Sequence, residues 1–256
     1  MSSAARQRRP PRLAEEVAND LRGRILGGEF SDGDMLPIQE ELVGHYGVSL
    51  PSVREGLRVL ETEGLITVRR GKVGGSIVQL PRSETVAYTV GLVLESRQTE
   101  VDELVAAMAK LGPLCVRACA ERPDRLTEVV PALETIHRES VDAVDDPPTF
   151  ALLARRFHEE LVTRCGSEPL AVLVGALESL WSGQVAAAGE AIDFGALPEV
   201  EMRRDSLEEH RTILDHIIAG DGEGAEQAAH RHQADPQRHT LLGRGITVSA
   251  TPLRDL

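Results

Sequence analysis

Ser49, Leu50, Ser52 and Arg54 crowd into the stretch YGVSLPSVREGLRVLETEGL, residues 46–65. Gly47 offers a tight turn, because glycine accepts positive φ. Ser49 is a good N-cap, and Pro51 is acceptable in a first helical turn. Val53, Leu57 and Leu60 mark an inner face, and Gly64 ends the run. The segment therefore predicts a helix whose first turn is on display. Short hydroxyl donors and one guanidinium at the positive end of a helix suit phosphates and base edges. Arg70, Gly71 and Lys72 form a second basic group. There Gly71 lets the chain approach a nucleic-acid backbone or minor groove closely.

The elements that must position this tip follow from periodicity. Leu13, Val17, Leu21 and Ile25 recur every four residues, which predicts a helix over 12–27 stopped by Gly27 and Gly28. A short helix over 38–46 turns Leu42 and Tyr46 inward. Beyond Gly64, LITVRR and SIVQL are short β-rich runs around GKVGG, a hairpin with a glycine-rich tip. Helix, helix–turn–helix, hairpin is the order of a winged helix–turn–helix.

Leu36-Pro37, Tyr46-Gly47-Val48-Ser49, Val53-Arg54-Glu55-Gly56-Leu57, Leu60 and Glu63-Gly64-Leu65 together resemble the DNA-binding domain of GntR-type bacterial transcription regulators. The resemblance covers about residues 12–80. Two departures stand out. Glu40 and Leu50 occupy positions where the family usually has arginines that touch DNA. Leu50 cannot bond a guanine edge, although it can touch a thymine methyl.

Past Pro81 the pattern is helical. Segments fall near 86–97, 101–122, 124–140, 148–165, 168–187, 199–219 and 222–240, with Pro113 expected to kink the second. Seven or so helices make an all-α bundle. The fold class is thus mostly α: an N-terminal winged helix–turn–helix with a small β hairpin, then a helical bundle. The expected domains are a disordered basic arm (1–11), the DNA-binding domain (12–81), an effector-binding and dimerisation domain (82–242) and a C-terminal tail (243–256).

His210, followed by Ile213, Asp221 and His232, resembles the FadR-type ligand-binding domain of this family, often called FCD, over about residues 90–240. The resemblance implies three histidines, His158, His210 and His232, around a metal in the bundle centre. Neutral imidazoles suit one divalent ion of the zinc or nickel class. The aspartate expected one turn before His158 is Ala154, and Met108 and Gly112 replace a usual Arg and Glu. His210 and His232 lie at similar distances either side of the Gly220–Gly222 turn, so two antiparallel helices bring them level. His216 and His230 read as surface or core positions rather than ligands.

The chain of 256 residues carries a net charge of −13, unevenly spread. Residues 1–82 hold 12 Lys/Arg against 11 Asp/Glu, and the remainder 16 against 30. The acidity argues against general polyanion binding and leaves room for one basic face. Aromatics are 3% of the chain, which suits an aliphatic helical core. Cys115, Cys119 and Cys165 make no disulfide framework and read as small buried residues. No signal peptide and no apolar run of about 18 residues is evident, so a cytoplasmic protein without membrane contact is expected. His158-Glu159-Glu160 lacks the second histidine of a zincin, Val162 standing there, and no phosphate-loop or nucleophile-elbow signature has the right flanks. The expectation is a homodimeric repressor on a palindromic double-stranded operator, controlled by a small carboxylate effector. A dimer with a vestigial pocket and a metal-dependent enzyme on the bundle are the alternatives.

Overall fold

The computed structural model describes residues 10–69, 74–191, 199–233, 243 and 245–250. The chain divides into two compact units, Met1–Arg82 and Ser83–Leu256.

The first unit contains α1 (Pro10–Leu26), α2 (Gln39–Tyr46), α3 (Leu50–Thr62), β1 (Ile66–Arg69) and β2 (Gly75–Val78). The basic arm expected over 1–11 lies outside the described residues up to residue 9. Its last two residues already belong to α1, since proline is tolerated in the first helical turn. Val17, Leu21 and Ile25 of α1 pack with Leu42, Val53, Leu57, Leu60, Ile66 and Val78 into one core. Each such large side chain contributes roughly 1.5–3 kcal/mol on burial. Gly56 permits the close approach of α3 to α1, because a Cβ there would stand 3.0 Å from the Ala14 carbonyl oxygen and 3.1 Å from a Val17 methyl. The Tyr46 hydroxyl donates to Asp20 at 2.6 Å and so ties α2 to α1. Burial, then the hydrogen bond to Asp20, push the Tyr46 phenol up to about 12, which keeps it a donor.

β1 and β2 pair antiparallel with Ile66 opposite Val78 and Arg69 opposite Gly75. Residues 33–36 add a third edge that the periodicity did not reveal. The Gly33 and Leu36 amides donate to Val78 and Ser76, and the Val78 amide donates to Asp34, at 2.8–2.9 Å.

The second unit holds α4 (Ser83–Ser96), α5 (Val101–Glu121), α6 (Arg125–Glu128), α7 (Val130–Asp142), α8 (Pro147–Thr163), α9 (Glu168–Ala191), α10 (Val200–Ala219) and α11 (Gly222–Gln233). The single segment expected over 124–140 is split. Pro131 sits in the first turn of α7, which leaves α6 as one separate turn. Pro113 lies buried inside α5, and the helix is continuous through it. The main core joins Cys115, Val116 and Cys119 of α5 to Leu133, Ile136, Leu153, Phe157, Leu161, Leu214, Ile217 and Ala228. The three cysteines are free and buried, and burial pushes the Cys119 thiol up to about 12.

One expectation is corrected here. Residues 243–256 are not simply a tail: Val248 is buried in a second core with Ala87, Val101, Leu104, Ala176 and Leu180. Its amide donates to the Thr99 carbonyl at 2.9 Å, and the Val101 amide donates to Ile246 at 2.8 Å. The Gln184 side chain brackets Ser249, donating to its carbonyl at 2.8 Å and accepting from its amide at 3.0 Å. Residues 251–256 lie outside the described residues. Glu168–Ala187 is long and apolar enough by composition to cross a membrane, although Glu178 interrupts it. That stretch packs along α4, with α5 and α8 also touching α9.

Candidate functional site

The tip of α3 is built by its turn. Gly47 takes φ 61°, in the left-handed region, and ends α2 with its amide on the Val43 carbonyl. The chain then enters α3 through Ser49, whose backbone is extended and whose carbonyl accepts from Ser52 and Val53. The Ser49 hydroxyl does not cap the helix. It lies 3.0 Å from the Ser52 hydroxyl. Ser49 is exposed, Leu50 half-buried and Arg54 exposed, whereas Ser52 is only 5% exposed. Ser52 thus offers little surface at the tip. It stands one turn before Gly56 on the face that packs inward, a phase that closeness to the tip in sequence conceals. Arg54 donates from Nε to the Gln39 Oε1 at 3.0 Å. Arg70, Gly71 and Lys72 lie outside the described residues. Glu40, at an expected arginine position, is exposed in the first turn of α2.

In the bundle, α8, α10 and α11 bring His158, His210 and His232 together, with one ligand nitrogen from each within 4.8 Å of the others. His210 and His232 are buried and His158 is half-buried. The His232 Nε2 lies 3.2 Å from the His210 Nε2 and 3.1 Å from the His158 Nε2. Imidazole nitrogens bound at ~2.0–2.1 Å by a tetrahedral ion stand about 3.3 Å apart. The cluster thus has the donor type and the spacing for such an ion. Phe157 stacks on His210 with centroids 4.2 Å apart, walling one side. The His232 Nδ1 lies 2.7 Å from the Glu209 carboxylate. A neutral imidazole donating there presents its Nε2 lone pair to the other rings.

Glu209 was not foreseen. It adjoins His210 in sequence but serves His232 on another helix, a pairing visible only once α10 and α11 are side by side. Gln233 was also missed. Its amide occupies the space that a Cβ on Gly112 would fill, with Nε2 at 2.7 Å from that position. Its buried Oε1 has no partner among the described residues. Ala154 is half-buried on α8, one turn before His158. Met108 packs against the core around Leu104 and Leu180 and supplies no cation. His216 stands apart from the cluster: its Nδ1 lies 2.8 Å from Asp221, and Asp221 caps α11 by accepting the Gly224 amide at 2.9 Å. These hydrogen bonds, the backbone one first, hold the Asp221 carboxyl below its usual value. Glu178 on α9 moves the other way, pushed up to about 8 by desolvation and then by the charge of Glu159.

The model of the FCD domain matches residues 103–235, and that of the bacterial regulatory proteins of the gntR family matches residues 13–73. The chain is 35% identical over 135 residues to the uncharacterized HTH-type transcriptional regulator Rv0494 of Mycobacterium tuberculosis (strain ATCC 25618 / H37Rv). That match is 52% of this chain and spans about half, 55%, of that relative. It is 26% identical over 223 residues to the HTH-type transcriptional regulator Mce2R of Mycobacterium tuberculosis (strain CDC 1551 / Oshkosh), covering 85% of this chain and 87% of that one. It is 28% identical to the HTH-type transcriptional repressor NanR of Cronobacter sakazakii (strain ATCC BAA-894), over 86% and 82% of the two chains. Among solved structures, Streptococcus agalactiae GntR superposes with a TM-score of 0.65 at 23% identity, over 88% of this chain and 99% of that chain, and so shares the fold.

Proposed function

Because this chain belongs to the GntR family of bacterial transcription regulators and carries an FCD domain, we propose that it binds a palindromic double-stranded operator as a cytoplasmic homodimeric repressor, controlled by a small effector held in its helical unit. The observation that carries the reading is the tip of α3. Its back is fixed by Val53, Leu57 and Leu60, while Ser49 and Arg54 stay exposed. A helix buttressed in this way can enter the major groove N-terminus first. Leu50 fits a thymine methyl at the place where relatives read with an arginine.

The second unit supports dimerisation and effector control. Leu92 and Val93 on α4 and Val172, Leu173 and Val185 on α9 are exposed apolar side chains on two helices that pack together. A second copy of this chain is the occupant that a two-headed palindrome reader needs. His158, His210 and His232 would hold one zinc- or nickel-class ion. When bound, such an ion supplies Lewis-acid coordination to an oxygen ligand such as a carboxylate. Glu209 holds the His232 ring in register, and Phe157 keeps water from one face of His210. Effector control requires the bundle to have two arrangements of unequal effector affinity, with a coupling of typically ~1–3 kcal/mol.

The test is selection of duplexes from a random library by the full-length protein, followed by binding isotherms with and without zinc chloride and a panel of small carboxylic acids. Enrichment of a palindrome, with affinity altered by an acid, supports the reading. Enrichment without any response to metal or acid favours a vestigial pocket. No enrichment removes the DNA-binding assignment.

A further inference from the structure

We infer that Gln39 is a positioning residue for sequence reading: its amide aims the Arg54 guanidinium at a base edge. The inference rests on the DNA-binding reading and concerns how the tip discriminates among sequences. Arg54 lies on the exposed side of α3, and Gln39 is the first residue of α2, which packs against α3. The two are joined by one hydrogen bond, from the Arg54 Nε to the Gln39 Oε1 at 3.0 Å.

Four other arginines of this unit show why that arrangement matters. Arg22 donates through Nε and Nη2 to both oxygens of Glu63, at 2.8 and 2.5 Å. Arg24 does the same to Glu29, at 2.8 and 2.6 Å. Their forks and charges are already matched by carboxylates. Arg82 pairs with Asp32 at 2.5 Å, and Arg58 stands 3.8 Å from Glu55. Arg54 is held differently. A neutral amide takes only its Nε, and its two Nη groups have no acceptor among the described residues. Glu41, the next acid on α2 after Glu40, is turned back on the Ile38 amide at 3.2 Å.

Guanine offers O6 and N7 to a bidentate guanidinium. An arginine whose Nε is fixed swings less, so less rotamer freedom is lost when its Nη pair docks. Because the holding group is an amide, the full positive charge remains available. The geometry therefore suits guanine reading by Arg54, set beside the apolar surface of Leu50.

The experiment uses the full-length protein, the duplex it enriches from a random library, and a random duplex of the same length. Gln39→Ala should weaken binding to the enriched duplex about threefold to tenfold, the scale of one hydrogen bond. Binding to the random duplex should not change, and neither should the melting temperature. In an Arg54→Ala background the Gln39→Ala change should add nothing. If the wild-type protein enriches no sequence, the DNA-binding reading fails before this one is reached. If it does enrich one, three results overturn the positioning role: no loss on the enriched duplex, an equal loss on both duplexes, or a loss that adds to that of Arg54→Ala.

Discussion

Replacing Glu209 by alanine is the sharpest test of the histidine cluster, because it alters none of the three candidate ligands. The Glu209 carboxylate stands 2.7 Å from the His232 Nδ1. That contact fixes which His232 nitrogen carries the proton and which way the ring faces. His232 is also the ring whose Nε2 lies between the other two, at 3.2 and 3.1 Å. Loss of the carboxylate frees the ring to rotate and to carry its proton on Nε2, where a metal would have to displace it. Removing a carboxylate behind a metal-binding imidazole costs about 10- to 100-fold in metal affinity, which is about 1.4–2.7 kcal/mol. Calorimetric titration of zinc into untagged protein, stripped beforehand with a chelator, reads this directly. Glu209→Gln, which keeps an acceptor oxygen, should recover part of the loss. The reasoning is refuted if Glu209→Ala binds zinc within twofold of the wild type while His232→Ala abolishes binding. If neither the wild type nor any variant binds zinc, the histidines are structural.

Ala154→Asp should raise zinc affinity in the same titration, since it restores a carboxylate one turn before His158; equal affinity would place residue 154 away from the cluster. Leu50→Arg should introduce a new guanine preference near one position of each half-site in library selection, and an unchanged motif would mean that Leu50 does not face the bases. Glu178→Gln should flatten the dependence of melting temperature on pH. The Glu178 carboxyl titrates near 8 in the fold and near 4.3 when unfolded, so the unfolded chain releases its proton first. The stability that this group contributes is complete below about pH 4.3, declines as pH rises, and is gone above about 8. Glutamine does not titrate, so the drop between pH 5 and 8 should shrink; an unchanged drop would assign it to other groups.

What was legible in the sequence divides by the range of the interaction. The winged helix–turn–helix was read because its signals are local: a four-residue apolar period in α1, a glycine–serine turn before α3, and paired β runs around a glycine tip. The stripe of Val53, Leu57 and Leu60 gave the inner face of α3, and those residues are buried. The same stripe, extended by one turn, contains Gly56 and Ser52. That helical phase draws Ser52 inward, which its side-chain type does not show. The convergence of His210 and His232 was foreseeable from their equal distances to the Gly220 turn, a matter of helix rise alone.

Contacts between segments distant in sequence were not legible, and the C-terminal segment shows why. Residues 246–250 carry no helical period and end a run of polar and glycine residues, so composition alone makes them a tail. Their order comes from partners elsewhere: backbone bonds to Thr99 and Val101, the Gln184 amide on α9, and Glu95, which accepts the Ala250 amide at 2.8 Å. Gly91 on α4 leaves room for Ala250, because a Cβ there would stand 3.3 Å from the Ala250 side chain. Nothing in the sequence around any one of these partners marks it as a contact for this segment. The segment packs where α4, α5 and α9 lie together, so its placement depends on contacts that its own sequence does not display. The same logic applies to Glu209 and Gln39. Each acts on a residue of a neighbouring helix, and neither differs in sequence from a solvated polar side chain until the packing of that helix is known.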